Sequence, residues 1–323
     1  MKETSRIALQ LPHDRPAPLS EIIDFGVAAD KLGYDTLLVP ESWTWDAFTT
    51  LGAIAVRTHG IRLGPGIVNV FSRTPALIAQ SIATLDELSG GRAVLGLGIS
   101  GPVVIENWHG IRFEHALERT RETVEIVRMA LRGEQVRYSG RIFKLKKFRL
   151  GFKPTRDKVP IFIASIGPKN NRLAGEIGDG WHPIWLPRQK FEEALAEVGP
   201  VAEVAPTIMA CVGNDREALF DMVRPQVAYY VGGMGTFYRN VVARFGFEEE
   251  SSRIHDLWQG GQRKQAVATV SDGMVDQLAA VGTADECRER IEEYRRAGAT
   301  LPVIAVPHLA SRSRVLETLE ALV

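Results

Sequence analysis

The sequence predicts one α/β domain, residues 1–323, built as a (β/α)8 barrel. Three observations carry this. Short apolar, β-rich runs alternate with helical periodicity about eight times, the pattern of parallel strands joined by crossover helices. Eight such units favour a closed barrel over an open doubly wound sheet. The length, 323 residues, would allow two domains, but no repeat, low-complexity tract or linker divides the chain.

Taken in order, residues 7–11 read as the first strand. Helical periodicity follows over 20–32, with Ser20 as N-cap and Gly33 as the stop. Residues 35–39 form a buried second strand ended by Pro40, 46–57 a helix, and 61–68 the third strand. Thr74 caps the next helix and Pro75 takes its first position, and Ser89-Gly90-Gly91 ends it. The fourth strand is 93–97. The longest amphipathic segment, 115–131, lines up Leu117, Val124, Val127 and Leu131 on one face. A hairpin over 137–150 turns at Ser139-Gly140. The fifth strand, 160–164, runs into Gly167-Pro168 and a helix. Residues 180–185 and 207–212 are the sixth and seventh strands. The stretch 215–281 is helical without strand signals and reads as an insertion. A helix over 285–297 leads to the eighth strand, 302–306, and a last helix.

Composition narrows the function. Lys and Arg total 39 against 39 Asp and Glu, which argues against a protein built to hold nucleic acid or an anionic membrane. The two cysteines, Cys211 and Cys287, form no CxxC, which excludes a disulfide framework or zinc ribbon. The N-terminus has no signal-peptide pattern, and no apolar run reaches the ~18 residues of a membrane span. The expectation is a soluble cytoplasmic enzyme acting on a small molecule.

In a barrel the chemistry sits at the C-terminal strand ends. Gly96-Leu97-Gly98-Ile99-Ser100-Gly101 is a GxGxxG after a strand. The acidic residue that a dinucleotide site needs about twenty positions on falls inside the amphipathic helix, near Glu118 and Glu122. The loop therefore reads as phosphate-cradling or substrate-facing, or as a tight turn. Ser165-Ile166-Gly167-Pro168-Lys169-Asn170 opens a helix after a strand, so free amides, the Ser165 hydroxyl and Lys169 could hold a phosphate, the alternative being a plain capped turn. Gly64-Pro65-Gly66-Ile67-Val68-Asn69 marks a turn or bulge. Five of the six tryptophans, Trp43, Trp45, Trp108, Trp181 and Trp185, fall in these loops or strand ends. A ring-shaped ligand between aromatic walls would explain them, with Trp43, Trp45, Trp108 and Trp185 as substrate-binding candidates. Glu41, Asp46, Glu106 and His109 are the titratable residues there, and Glu41 and His109 are the candidates for proton transfer. No HExxH, GxSxG or Cys–His pattern is present, so neither a metal nor a hydrolytic triad is expected. The basic run Lys144, Lys146, Lys147, Arg149, Lys153, Arg156 and Lys158 reads as a solvated hairpin face.

Several stretches together resemble the bacterial luciferase-like superfamily, in its coenzyme F420-dependent oxidoreductase branch, which includes methylenetetrahydromethanopterin reductase. They are Leu63-Gly64-Pro65-Gly66-Ile67, Arg73-Thr74-Pro75-Ala76, residues 83–92 (ATLDELSGGR), Val94-Leu95-Gly96-Leu97-Gly98, residues 119–128 (RTRETVEIVR), residues 164–169 (ASIGPK) and residues 175–181 (GEIGDGW). Gly232-Gly233-Met234-Gly235-Thr236-Phe237-Tyr238 resembles an actinobacterial-type subgroup. The resemblance spans nearly the whole chain. It implies a TIM barrel, usually a homodimer, with F420 lying across the strand ends. It implies a cis peptide at Gly66–Ile67 backing the deazaflavin ring. Gly66, Ile67, Val68, Gly98, Ile99, Ser100, Gly101, Ser165, Ile166, Gly167, Pro168 and Lys169 would hold the cofactor. The chain departs from members with an acidic–His pair after strand two, because the pair here is Glu41-Ser42. A glutamate those members use after strand four is absent near Ser100-Gly101-Pro102. A sugar-phosphate dehydrogenase mechanism is therefore not transferred. The expected activity is F420-dependent hydride transfer. The alternatives are an FMN-dependent monooxygenase with a partner reductase, a non-catalytic flavin-binding protein, and, more remotely, a cofactor-free hydrolase.

Overall fold

The computed structural model describes residues 6–323. Parallel strands form a ring with helices outside it. In chain order come β1 (Ala8–Gln10), α1 (Leu19–Leu32), β2 (Thr36–Val39), α2 (Ala47–Ala55), β3 (Arg62–Pro65) and β4 (Val68–Asn69). Next are α3 (Pro75–Leu88), β5 (Leu95–Gly98), a π-helical turn (Val103–Trp108) and α4 (Ala116–Leu131). The hairpin β6 (Val136–Ser139) and β7 (Lys144–Phe148) precedes β8 (Ile161–Ile163), α5 (Pro168–Ile177), β9 (Gly180–Trp181), α6 (Phe191–Ala196), β10 (Glu203–Val204) and β11 (Thr207–Val212). The insertion holds α7 (Arg216–Gly233), α8 (Phe237–Val242), α9 (Glu248–Gln259), α10 (Arg263–Thr269) and α11 (Asp272–Leu278). The chain closes with β12 (Ala279–Gly282), α12 (Ala284–Arg296), β13 (Val303–Ala305) and α13 (Arg312–Ala321).

The pairings run round the ring. β1 joins β2 and β2 joins β3. A Leu63–Ala93 bridge and the β4–β5 pair carry the ladder onward. β5 joins β8 and β8 joins β9. β10 and an Ile184–Thr207 bridge lead to β11, which joins β13, and β13 returns to β1. Ala8, Leu38, Val94, Phe162, Ala205 and Val303 pack together inside it. Their neighbours Leu9, Leu37, Leu95 and Ile163 face the helices, as strand alternation requires.

Several boundaries differ from the sequence reading for local reasons. Pro18, not Ser20, holds the N-cap of α1, because the Pro18 carbonyl already accepts from Glu21 and Ile22. The third strand is split in two at the cis Gly66–Ile67 bond. The sixth strand stops at Trp181, and the chain turns at Trp185, whose backbone is left-handed. The insertion is not wholly helical. Ala279–Gly282 is a strand paired with β11, and its small residues give no periodic signal. The expected Thr74 cap and Pro75 start, the Gly33 stop and the 207–212 strand are all present. Glu122 accepts the amides of Arg141, Ile142 and Phe143, so it pins the hairpin to α4. Among the described residues no helix is long and apolar enough to cross a membrane.

An ion cluster ties the N-terminal strand ends. Arg6 and Arg62 each bridge Asp35 and Glu203, at 2.7–2.8 Å. Burial pushes the Asp35 carboxyl up, but the Arg6 and Arg62 hydrogen bonds outweigh it and hold it down at about 2. Its contribution is therefore complete above its ordinary value of 3.8 and is lost as pH falls toward about 2. Asp35→Asn is expected to cost about 2 kcal/mol at neutral pH, a deficit that shrinks in denaturation curves taken near pH 3.

Candidate functional site

A cavity of about 1060 Å³ opens over the C-terminal ends of the strands. That is ample for a cofactor plus a small substrate. On one side stands the turn from β8 into α5. Pro168 takes the first helical position, where its missing N–H costs nothing, and Lys169 and Asn170, at the uncapped helix start, line the cavity. Ser165 is buried. Its hydroxyl donates to Asn171 Oδ1 at 2.8 Å and accepts from Trp181 Nε1 at 2.9 Å. Asn171 Nδ2 donates to Glu197, which also pairs with Arg244. Lys169, Arg172 and Arg244 line this side, so cations and a helix N-terminus converge there.

The floor comes from Gly66, Ile67, Gly98, Ile99 and Ser100. Ser100 is left-handed, a conformation a serine adopts only where its surroundings impose it. His182, buried and facing the cavity, donates from Nδ1 to the Ala205 carbonyl at 2.7 Å. Burial pulls its pKa down, the carbonyl bond only partly opposing this, so Nε2 is presented to the cavity as an acceptor.

The opposite side is formed by the loops after β1 and β2, the end of β13, and α7. Glu41 lies on this wall with both oxygens engaged. Arg73 Nε reaches one at 2.9 Å and Nη2 the other at 2.7 Å, and the Ala47 amide donates at 3.2 Å. Arg73 also pairs with Asp46 and lies over the Phe48 ring. Asp46 accepts from the Thr49 amide and so caps α2. The insertion supplies the roof. Tyr230 packs against Trp185 and Tyr238, at ring separations of 5.2 and 4.8 Å. Gly232 and Gly233 let Trp258 lie against the end of α7, since a Cβ at either would sit under 3.0 Å from that indole. Burial pushes the Tyr238 phenol up to about 12.

Of the expected cofactor residues, Gly66, Ile67, Gly98, Ile99, Ser100 and Ser165 to Lys169 all line this one cavity. Val68 and Gly101 do not. Val68 is buried in the ladder opposite Leu97, and the Gly101 carbonyl starts the π-helical turn by accepting from Val104 and Ile105. Trp43 lines the cavity. Trp45 and Trp108 are exposed outside it, and Trp185 is buried behind Tyr230. Trp181 is core and anchors Ser165. His109 follows the π-helical turn, edge-on to Trp108, away from the lining. Sequence reasoning missed Asp14, His182, Tyr229, Tyr230, Tyr238, Arg244 and His308. Only the Gly232–Tyr238 motif hinted that the insertion reaches the site.

The family model for luciferase-like monooxygenases matches residues 5–301. A Mycobacterium tuberculosis protein named a coenzyme F420-dependent oxidoreductase is 33% identical, over 94% of this chain and 96% of its own. A 5,10-methylenetetrahydromethanopterin reductase of Archaeoglobus fulgidus is 34% identical, over 86% of this chain and 87% of its own. The structure of the coenzyme F420-dependent tetrahydromethanopterin reductase of Methanopyrus kandleri superposes with a TM-score of 0.82 at 23% identity, covering 98% of this chain and 97% of that one. At that identity the match shows a shared fold.

Proposed function

This chain belongs to the luciferase-like monooxygenase family, and on that premise we propose that it is a coenzyme F420-dependent oxidoreductase moving a hydride between the deazaflavin and an organic substrate. The observation that carries the reading is the built anion cradle at Ser165–Lys169, facing a flat glycine-lined floor, in a chain with end-to-end similarity to F420-dependent relatives. The residues fit the cofactor. Its phosphate matches the α5 amides and Lys169, on a turn that Ser165 fixes through Asn171 and Trp181. Its planar ring matches a floor where Gly98 places no side chain between Ile67 and Ala164. The bound deazaflavin supplies the hydride.

The chain's own residues position and seal. His182 Nε2 offers an acceptor on the cavity floor. The Tyr229 and Tyr238 phenols, held above their ordinary values by burial, stay protonated and can donate to a substrate oxygen. The insertion roof excludes water. We assign Glu41 to holding the β2 loop, and with it Trp43, through the Arg73 clamp. His109 has no part in this reading. Glu41→Gln keeps the shape but breaks the charge-assisted pair. It is expected to raise the substrate KM about tenfold and leave the F420 Kd within about twofold, as steady-state kinetics beside a cofactor titration would report. By the same reading the protein is a homodimer, which the resemblance supports and light scattering tests.

The deciding experiment is a side-by-side titration with F420 and FMN, followed by tryptophan fluorescence. Tight F420 and weak FMN binding supports the proposal, and reduced F420 must then lose its hydride to a substrate. Preference for FMN would shift the assignment to the oxygen-using monooxygenases for which the family model is described. Binding of either cofactor with no turnover would leave a flavin-binding protein.

A further inference from the structure

The charged groups that line the cavity are segregated. Lys169 and Arg172 rise from α5, beyond β8, and Arg244 joins them through Glu197. Asp14 and Glu41 follow β1 and β2. In the ring order, β1 and β8 stand four barrel strands apart, so the cationic and anionic sides face each other across the barrel.

The half beside Asp14 has no free positive group among the described residues that line it, histidines aside. Arg73, close behind, is consumed by Glu41 and Asp46. The α2 N-terminus, behind Glu41, is also filled, because Glu41 accepts from Ala47 and Asp46 from Thr49. A phosphate or carboxylate therefore meets neither a guanidinium nor open amides there, and it meets the Asp14 carboxylate. This wall also holds Trp43, Tyr229, Pro12, Pro225 and Val306, with Ser42, Thr44 and a Gln226–His308 contact at 3.4 Å as its uncharged or histidine polar groups. Flat, mostly apolar walls with a few neutral polar groups suit an uncharged ring.

We propose that the substrate is an uncharged, ring-bearing molecule, and that Asp14 is the specificity residue that excludes anionic analogues. This rests on the cofactor reading above, which gives the cationic half to the cofactor's phosphate.

The test uses 2-naphthamide and 2-naphthoate, which share a skeleton and differ in charge, titrated calorimetrically into the F420-loaded protein. The amide is expected to bind about tenfold or more tightly than the acid, and Asp14→Lys to erase or invert that ratio. Equal or tighter binding of the acid by the unaltered protein would overturn the proposal. So would a ratio untouched by Asp14→Lys, or binding of neither probe. If F420 fails to bind, the function proposed above fails on that ground. The same ratio, measured with inorganic phosphate in the cradle, still decides the charge preference.

Discussion

Ser165→Ala is expected to weaken F420 binding about thirtyfold and to lower stability by about 2–3 kcal/mol, because one hydroxyl fixes the start of α5 and, through Asn171 and Glu197, Arg244. The side chain is buried at the mouth of α5. Its oxygen accepts from the Trp181 indole and its hydrogen goes to Asn171. Alanine leaves Asn171 Oδ1 without its donor and leaves Trp181 only the longer contact to the Ser165 carbonyl, at 3.2 Å. Each buried polar group left unpaired costs about 1–3 kcal/mol. The disturbance also reaches Glu197 through Asn171 Nδ2, and Glu197 holds Arg244. Two cradle contributions, the amides at the start of α5 and a guanidinium, therefore weaken together. Asn171→Ala separates the two, since it breaks the link to Glu197, keeps the hydroxyl on the Trp181 indole and frees its hydrogen for the phosphate. Its stability should fall as far, with a smaller loss of F420 affinity. Calorimetric titration and thermal unfolding of both variants measure this, and unchanged affinity in Ser165→Ala would remove Ser165 from the cradle.

The parts of this site that local chemistry builds were legible in the sequence. A proline after a strand announces a helix start, and both Thr74-Pro75 and Gly167-Pro168 behave so, the second without a side-chain cap to occupy its amides. Glycines alternating with aliphatic residues marked the floor. What was not legible depends on distance in the chain. Arg73 meets Glu41 from 32 positions away and turns a proton-transfer candidate into a clamped carboxylate. Asn171 reaches Glu197 across 26 positions. The tryptophans show the same limit from another side. A loop position says that a ring is near the site and not which way it points, so Trp43 enters the cavity while Trp45, two residues on, stays outside. The insertion looked like helical filler because α7 carries its site residues on a face that also reads as ordinary packing. Tyr229 and Pro225 line the cavity, and Val223 and Val227 fill the insertion's core.

Gly98→Leu should abolish F420 binding while the barrel still folds, and Gly96→Ala, two residues earlier on the same face, should prevent folding. The difference lies in what each new side chain would meet. A Cβ at Gly96 would lie 2.2 Å from the Pro65 carbonyl oxygen, which is backbone in the adjacent strand and cannot retreat without opening the ladder. Gly64 is closed in the same way, its Cβ falling 1.8 Å from the Val94 carbonyl. Strands three and four thus approach so closely at Gly64 and Gly96 that neither position admits a side chain. Losing that register removes interactions worth more than about 4 kcal/mol, a large share of a domain's net stability. At Gly98 the nearest atoms are Ile67 Cδ1 at 3.0 Å and the Ala164 methyl at 3.2 Å, and the isoleucine can change rotamer. A leucine there costs about 1–3 kcal/mol of overpacking, which a barrel of this size tolerates. It also fills the floor between Ile67 and Ala164 on which the deazaflavin ring is proposed to lie. F420 affinity should then fall at least about a hundredfold, the order of a lost planar contact surface. Soluble Gly98→Leu with a cooperative thermal transition and no fluorescence response to F420 is the expected result. Normal cofactor affinity in that variant would mean that the ring does not lie on this floor.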